Sequence, residues 1–105
     1  MLAGRGFLVE EYARGEDLLA AVDSHSPDCL LLDLRMPGID GLDVLRALRS
    51  RQIRVPVVVV TALDEPGTEE LAVGLGASAC LKKPVDRAIL LSSIEEALAG
   101  AARPN

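Results

Sequence analysis

Runs of unbroken apolar residues, rather than alternating ones, constrain this chain's fold more than any other feature. Phe7-Leu8-Val9 (continuing to Ala13), Cys29 to Leu34, and Val55 to Thr61, with four valines after Pro56, each read as a strand. Ala79-Cys80-Leu81 is a shorter fourth. A strand that is apolar on both sides of its pleat must be covered on both faces, which is the condition of a parallel sheet between helices. The core is aliphatic by necessity, since Phe7 and Tyr12 are the only aromatic residues.

Helical patterns fill the intervals. Gly15-Glu16-Asp17 opens a segment that puts Leu18, Leu19 and Val22 on one side. Gly41 to Ser50 carries Leu42, Val44, Leu45 and Leu48 near helical spacing. Glu65 to Leu75 is a weaker pattern, stopped by Gly76. Asp86 to Ala99 carries Ile89, Leu90, Ile94 and Leu98, with Asp86 placed to cap its start. Strand and helix therefore alternate four times, which predicts an α/β fold with a parallel sheet and right-handed crossovers. At 105 residues the chain reads as one domain, with Gly100 to Asn105 as a frayed tail.

Composition excludes several roles. A net charge of -5 argues against direct nucleic-acid binding, which asks for a basic face. No apolar run approaches the roughly 20 residues of a membrane span, and the first residues do not read as a signal peptide. Cys29 and Cys80 lie in apolar runs without metal-ligand spacing, so they read as buried free thiols in a reducing cytoplasm. Their strands should be separated by the one at Val55–Thr61, too far apart for a disulfide.

Ligands of such sheets bind at the C-terminal edge, where strands pass into loops. Asp33, Thr61 and Lys83 stand there, each at or just beyond the end of an apolar run. Singly they have ordinary readings: a solvated aspartate, a strand-end threonine, a surface lysine. On three successive strand ends they make a chemical set. An aspartate can attack phosphorus and form an acyl phosphate. An ammonium beside it keeps the carboxylate ionised and then holds the phosphoryl group. A hydroxyl on the neighbouring strand can donate to a phosphoryl oxygen.

The stretch Leu30-Leu31-Leu32-Asp33-Leu34-Arg35-Met36-Pro37-Gly38-Ile39-Asp40-Gly41-Leu42 resembles the phosphorylation-site signature of bacterial response-regulator receiver domains. Val57-Val58-Val59-Val60-Thr61-Ala62 is similar to their fourth strand, and Gly76 to Pro84, with Lys82-Lys83-Pro84 at its end, to their fifth. The similarity runs from about Leu2 to Leu98. It implies a flavodoxin-like, doubly wound sheet with Asp33 as phosphoacceptor, Thr61 and Lys83 as phosphoryl-binding switch residues, and a cis bond before Pro84. It also implies a regulatory domain rather than an enzyme, phosphorylated by a histidine kinase or phosphotransfer protein and acting on an output partner. Its effect would pass through the surface around Glu65–Leu75 and Asp86–Ala99.

Two departures from the family pattern matter. Cys80 stands where the family usually has an aromatic switch residue, and a thiol sweeps out less volume. The family's first strand, with the acidic pair that shares Mg2+ with the acceptor, is not in the sequence, and Leu2–Gly6 resembles the end of the first helix. That leaves Asp33 and a main-chain carbonyl, that of Arg35, as a poor ligand set for Mg2+. The absent strand would lie centrally, between those at Phe7 and Cys29. Losing it forfeits on the order of 10 kcal/mol of apolar burial, comparable with a whole domain's stability of about 5–15 kcal/mol. The expectation is an open seam, giving a molten monomer or an oligomer such as a homodimer in which a partner supplies the pairing. The alternative is direct closure of the strand at Phe7 on that at Cys29, carrying Glu10 or Glu11 toward Asp33.

Two other functions stay open at this point. A pseudo-receiver would bind partners without being phosphorylated. A hydrolase with an aspartyl-phosphate intermediate, of the haloacid-dehalogenase type, would place a second Asp two residues after the nucleophile, where this chain has Arg35.

Overall fold

The computed structural model describes residues 2–3, 7–12, 14–24, 27–34, 40–62 and 66–101. Their strands are β1 (Leu2–Ala3), β2 (Phe7–Glu11), β3 (Cys29–Asp33), β4 (Val57–Thr61) and β5 (Ala79–Lys82). The helices are α1 (Gly15–Ser24), α2 (Gly41–Ser50), α3 (Thr68–Gly74) and α4 (Arg87–Ala101). The sheet runs in the order β1-β2-β3-β4-β5. β2 to β5 are parallel, and β1 pairs antiparallel on the outer edge of β2.

Side chains of β3 alternate between two cores. Leu30 and Leu32 face Leu18, Leu19 and Val22 of α1, Val44, Leu45 and Leu48 of α2, and Ala72 of α3. Cys29 and Leu31 face Ile94, Ala97 and Leu98 of α4, together with Val58 of β4. The connections between consecutive parallel strands thus cover one face, and the last helix crosses to cover the other. Both layers are needed, because Leu30, Leu32, Val57, Val58 and Val59 are at most 1% exposed. This is the doubly layered α/β fold that the alternation predicts.

The expected seam is not there. β2 pairs directly with β3, with Val9 beside Cys29, Glu10 beside Leu30 and Glu11 beside Leu31. The physical reason is the cost of unpaired backbone in an apolar interior: the edge of β3 not taken by β4 is paired by β2. Closure does carry the two glutamates toward the site edge, but only to register with Leu30 and Leu31, short of Asp33. Leu2 and Ala3 are likewise extended rather than the end of a helix, with Leu2 opposite Leu8 and Ala3 opposite Phe7. They satisfy backbone groups on the edge of β2 that solvent would otherwise hold.

Smaller differences concern ends. β2 stops at Glu11, and Ala13 lies outside the described residues. β4 begins at Val57 rather than Val55, since Pro56 has no N–H to give a ladder. α3 is shorter than its sequence pattern: it starts at Thr68, after Gly67 at φ 88°, while Glu65 lies outside the described residues. α4 starts one residue after Asp86, whose Oδ1 accepts from the Ala88 N–H at 2.9 Å. It also runs through Gly100 to Ala101 instead of fraying at Gly100, in keeping with the alanine-rich sequence there.

Candidate functional site

Asp33 closes β3, and Thr61 closes the adjacent β4. Asp33 is in register with Val60, and Thr61 with Lys82. Lys83 is the first residue beyond β5, and its N–H donates to the Thr61 carbonyl at 2.8 Å, continuing the ladder by one step. The Lys83 side chain reaches back across the edge of β4, so that Nζ donates to Asp33 Oδ2 at 2.5 Å. Three successive strand ends therefore meet at one spot. The Lys83–Pro84 bond that follows is cis.

Exposure differs along the set. The Asp33 side chain is 30% exposed and that of Lys83 46%, while Thr61 is buried at 3%. A partly open carboxylate with an ammonium on one oxygen is accessible to a group arriving from solvent. Thr61, at the end of the adjacent strand, is buried.

Two further residues shape the loop after Asp33. The Asp40 side chain accepts from the Leu42 N–H at 2.8 Å and caps α2. Gly41 then lies against the strand: a Cβ there would stand 2.6 Å from Leu34 Cα and 2.9 Å from the Asp33 carbonyl oxygen. Its own N–H donates to the Leu34 carbonyl at 3.3 Å. The helix start is thus seated on the backbone that carries the acceptor. In the sequence Gly41 reads only as the beginning of a helix; nothing local signals the close approach.

Cys80 is half-buried and in register with Val59. Since Val59 and Thr61 are two apart on β4, Cys80 and Thr61 share a face, the one covered by α1, α2 and α3. Burial pushes the Cys80 thiol pKa up, and Glu69 and Glu70 of α3 add to the effect. Cys29 faces α4 instead, and burial pushes its thiol up to about 11. Both cysteines are free. Besides the intervening β4, the sheet itself separates them, which is a firmer bar to a disulfide than distance along the sheet.

Mg2+ fits the described residues poorly. Arg35, whose carbonyl is the second expected ligand, lies outside them, as do Met36 to Ile39. Among the described residues no three Asp, Glu, His or Cys side chains come together as ion ligands. Glu10 accepts a hydrogen bond from the Tyr12 hydroxyl at 2.8 Å, and Lys83 already lies on an Asp33 oxygen. Among the described residues, a small cation that demands near-octahedral oxygen coordination meets the Asp33 carboxylate already shared with Lys83.

A model of the response regulator receiver domain family matches residues 1–95. This chain belongs to that family. The receiver domain is 37% identical over 97 residues to the DNA-binding transcriptional regulator NtrC of Salmonella typhimurium, covering 92% of this chain and 21% of that protein. It is 40% identical over 104 residues to the positive alginate biosynthesis regulatory protein of Pseudomonas aeruginosa, covering 99% of this chain and 40% of the relative. The chain thus spans less than half the length of these curated relatives. Among solved structures it is similar to the BeF3-activated N-terminal receiver domain of RstA from Klebsiella pneumoniae, at 33% identity and a TM-score of 0.75. That match covers 83% of this chain and 74% of the RstA domain. A receiver domain is a signal-transduction module of two-component systems. Among its described residues no helix is long and apolar enough to cross a membrane.

Proposed function

We propose that Asp33 is the phosphoryl acceptor of this receiver domain and that a histidine kinase or phosphotransfer protein is the donor. One Asp33 oxygen attacks phosphorus; the P–N bond to the donor histidine breaks, and its electron pair returns to the imidazole. Lys83 holds one carboxylate oxygen before transfer and afterwards pairs with a phosphoryl oxygen. Thr61 donates its hydroxyl to a second oxygen and so reports the phosphoryl group to β4. The observation that carries this reading is the Lys83 ammonium on Asp33 Oδ2, beside the end of β4. That the similar RstA domain is BeF3-activated supports the same chemistry at the corresponding site. The domain so used is regulatory, cytoplasmic, and acts on an output partner.

The test is incubation with acetyl phosphate or beryllofluoride, with and without Mg2+, followed by intact mass and peptide mapping. A single modification on Asp33, lost in Asp33→Asn, is the expected result.

A second reading is separated from the first by the same test. On it, the domain is a pseudo-receiver that binds partners without phosphorylation. Mg2+-dependent modification of Asp33 would dismiss this reading, and persistent refusal of every small phosphodonor would favour it.

A further inference from the structure

At the sheet edge opposite Asp33 lies a cleft of about 600 Å³ that the phosphoacceptor chemistry does not use. It opens where β4 and β5 begin, between the last turn of α2, the α2–β4 connection and the later turns of α4. Its polar side chains are Arg49, Arg54, Ser78, Ser93 and Glu96. A five-residue strand such as β4 sets this edge roughly 15 Å from the end that carries Thr61. The cleft is therefore separate from the acceptor. Its volume is that of a small-molecule site, and its walls carry no aromatic ring on which a nucleobase would stack.

The charges in this cleft lack counter-charges. Residues 44–63 carry four arginines and no aspartate or glutamate, in a chain with 16 acidic and 11 basic residues. Arg14, Arg46 and Arg51 each have a carboxylate within 3.0 Å, on Glu16, Asp43 and Asp23 respectively. Arg49 and Arg54 have none among the described residues.

Arg49 is held by main-chain carbonyls instead. Nη1 donates to Ile53 at 2.7 Å, Nε to Leu75 at 3.3 Å and Nη2 to Gly76 at 2.7 Å. These bonds fix the planar fork and leave a further N–H on each terminal nitrogen. Burial disfavours its charge, which a nearby anion would support. Arg54 is exposed on the adjoining connection. Glu96 of α4 lines the same cleft and closes on neither arginine. Cations and carboxylate thus face one space without neutralising each other.

We propose that this cleft binds a small phosphate monoester that carries an ammonium group. Two guanidiniums match a phosphate dianion in charge and in the geometry of their donors. Ser78 and Ser93 supply hydroxyls for the remaining oxygens, and Glu96 takes the ammonium. A carboxylate in place of the phosphate leaves one guanidinium unmatched, and a phosphate without the ammonium sets an anion beside Glu96. The site does not depend on the chemistry proposed for Asp33.

The probe is phosphoethanolamine, titrated into the 105-residue chain and followed by amide chemical shifts. Inorganic phosphate, ethanolamine and glycerophosphoethanolamine form separate arms. Phosphoethanolamine should give saturable shifts at Ser78, Ala79 and Ser93 with Thr61 and Lys83 unmoved, and each other arm should bind at least tenfold more weakly. Arg54→Gln, at an exposed position, should weaken phosphoethanolamine at least tenfold, the cost of a lost charge-assisted bond. Glu96→Gln should weaken it likewise while leaving inorganic phosphate bound as tightly or more so. No saturable shift at those amides, or shifts centred on Thr61 and Lys83, would overturn the proposal in the wild-type chain alone. Equal binding by inorganic phosphate or ethanolamine, or wild-type affinity in either variant, would overturn it as well. Glycerophosphoethanolamine bound as tightly as the monoester would assign the cleft to a lipid headgroup and overturn the monoester.

Discussion

Lys83 Nζ and Asp33 Oδ2 lie 2.5 Å apart although 50 residues separate them in the chain and a strand separates them in the sheet. The pair exists because β3, β4 and β5 end at one level and because Lys83 extends the β4–β5 ladder by one bond before Pro84. Its role in stability should be small. With the two side chains 46% and 30% exposed, solvent screens most of the attraction, and such pairs contribute about 0–1 kcal/mol.

Lys83→Met should therefore lower stability by no more than about 1 kcal/mol, measured by urea unfolding. Its larger effect should be functional: the acceptor carboxylate remains, but a phosphoryl group on it no longer finds an ammonium. Phosphorylation should then cease to change amide shifts around Thr61. A Lys83→Met protein that is severely unfolded, or that switches as the wild type does, would contradict this division of labour.

Cys29 sets an alkaline limit on stability. Its thiol is fully buried, and burial pushes the pKa up from 9.0 to about 11. A raised folded pKa means that the unfolded chain ionises first. Stability should be unaffected by this group below pH 9 and fall progressively as pH rises toward 11, by on the order of 2–3 kcal/mol in all. Cys29→Ala starts from a lower stability because it loses packing, yet its unfolding free energy should show a shallower slope over that interval. An equal slope in both proteins would remove Cys29 as the cause.

Gly41→Ala should destabilise the domain by about 1–3 kcal/mol. The added methyl meets backbone, at Leu34 Cα and the Asp33 carbonyl, rather than a side chain that could swing away. Thermal melts and the rate of Asp33 modification should fall together, since the same backbone carries the acceptor. A variant of unchanged stability would show that α2 can withdraw from β3 at little cost.

How much of this the sequence reveals depends on whether the determinant is local. β3 and β4 are legible because Leu30–Leu32 and Val57–Val59 are continuous apolar runs, which only a strand covered on both faces explains. Asp33, Thr61 and Lys83 are legible because strand ends can be found from those runs. The pairing of β2 with β3 is not, because strand order is a tertiary choice: Val9 to Glu11 carry no mark naming their neighbour. Two residues such as Leu2 and Ala3 are too few for any periodicity. Arg49 stays hidden for another reason. Its partners are three main-chain carbonyls, which every sequence possesses, so no residue type elsewhere points to it.

The central claim is that Asp33 accepts the phosphoryl group, and the most direct measurement is intact mass with peptide mapping after acetyl phosphate treatment, in wild type and Asp33→Asn. The account predicts one phosphoryl group, on the peptide containing Asp33, and none in the variant. Undiminished modification of Asp33→Asn, or modification mapped to another residue, would contradict it.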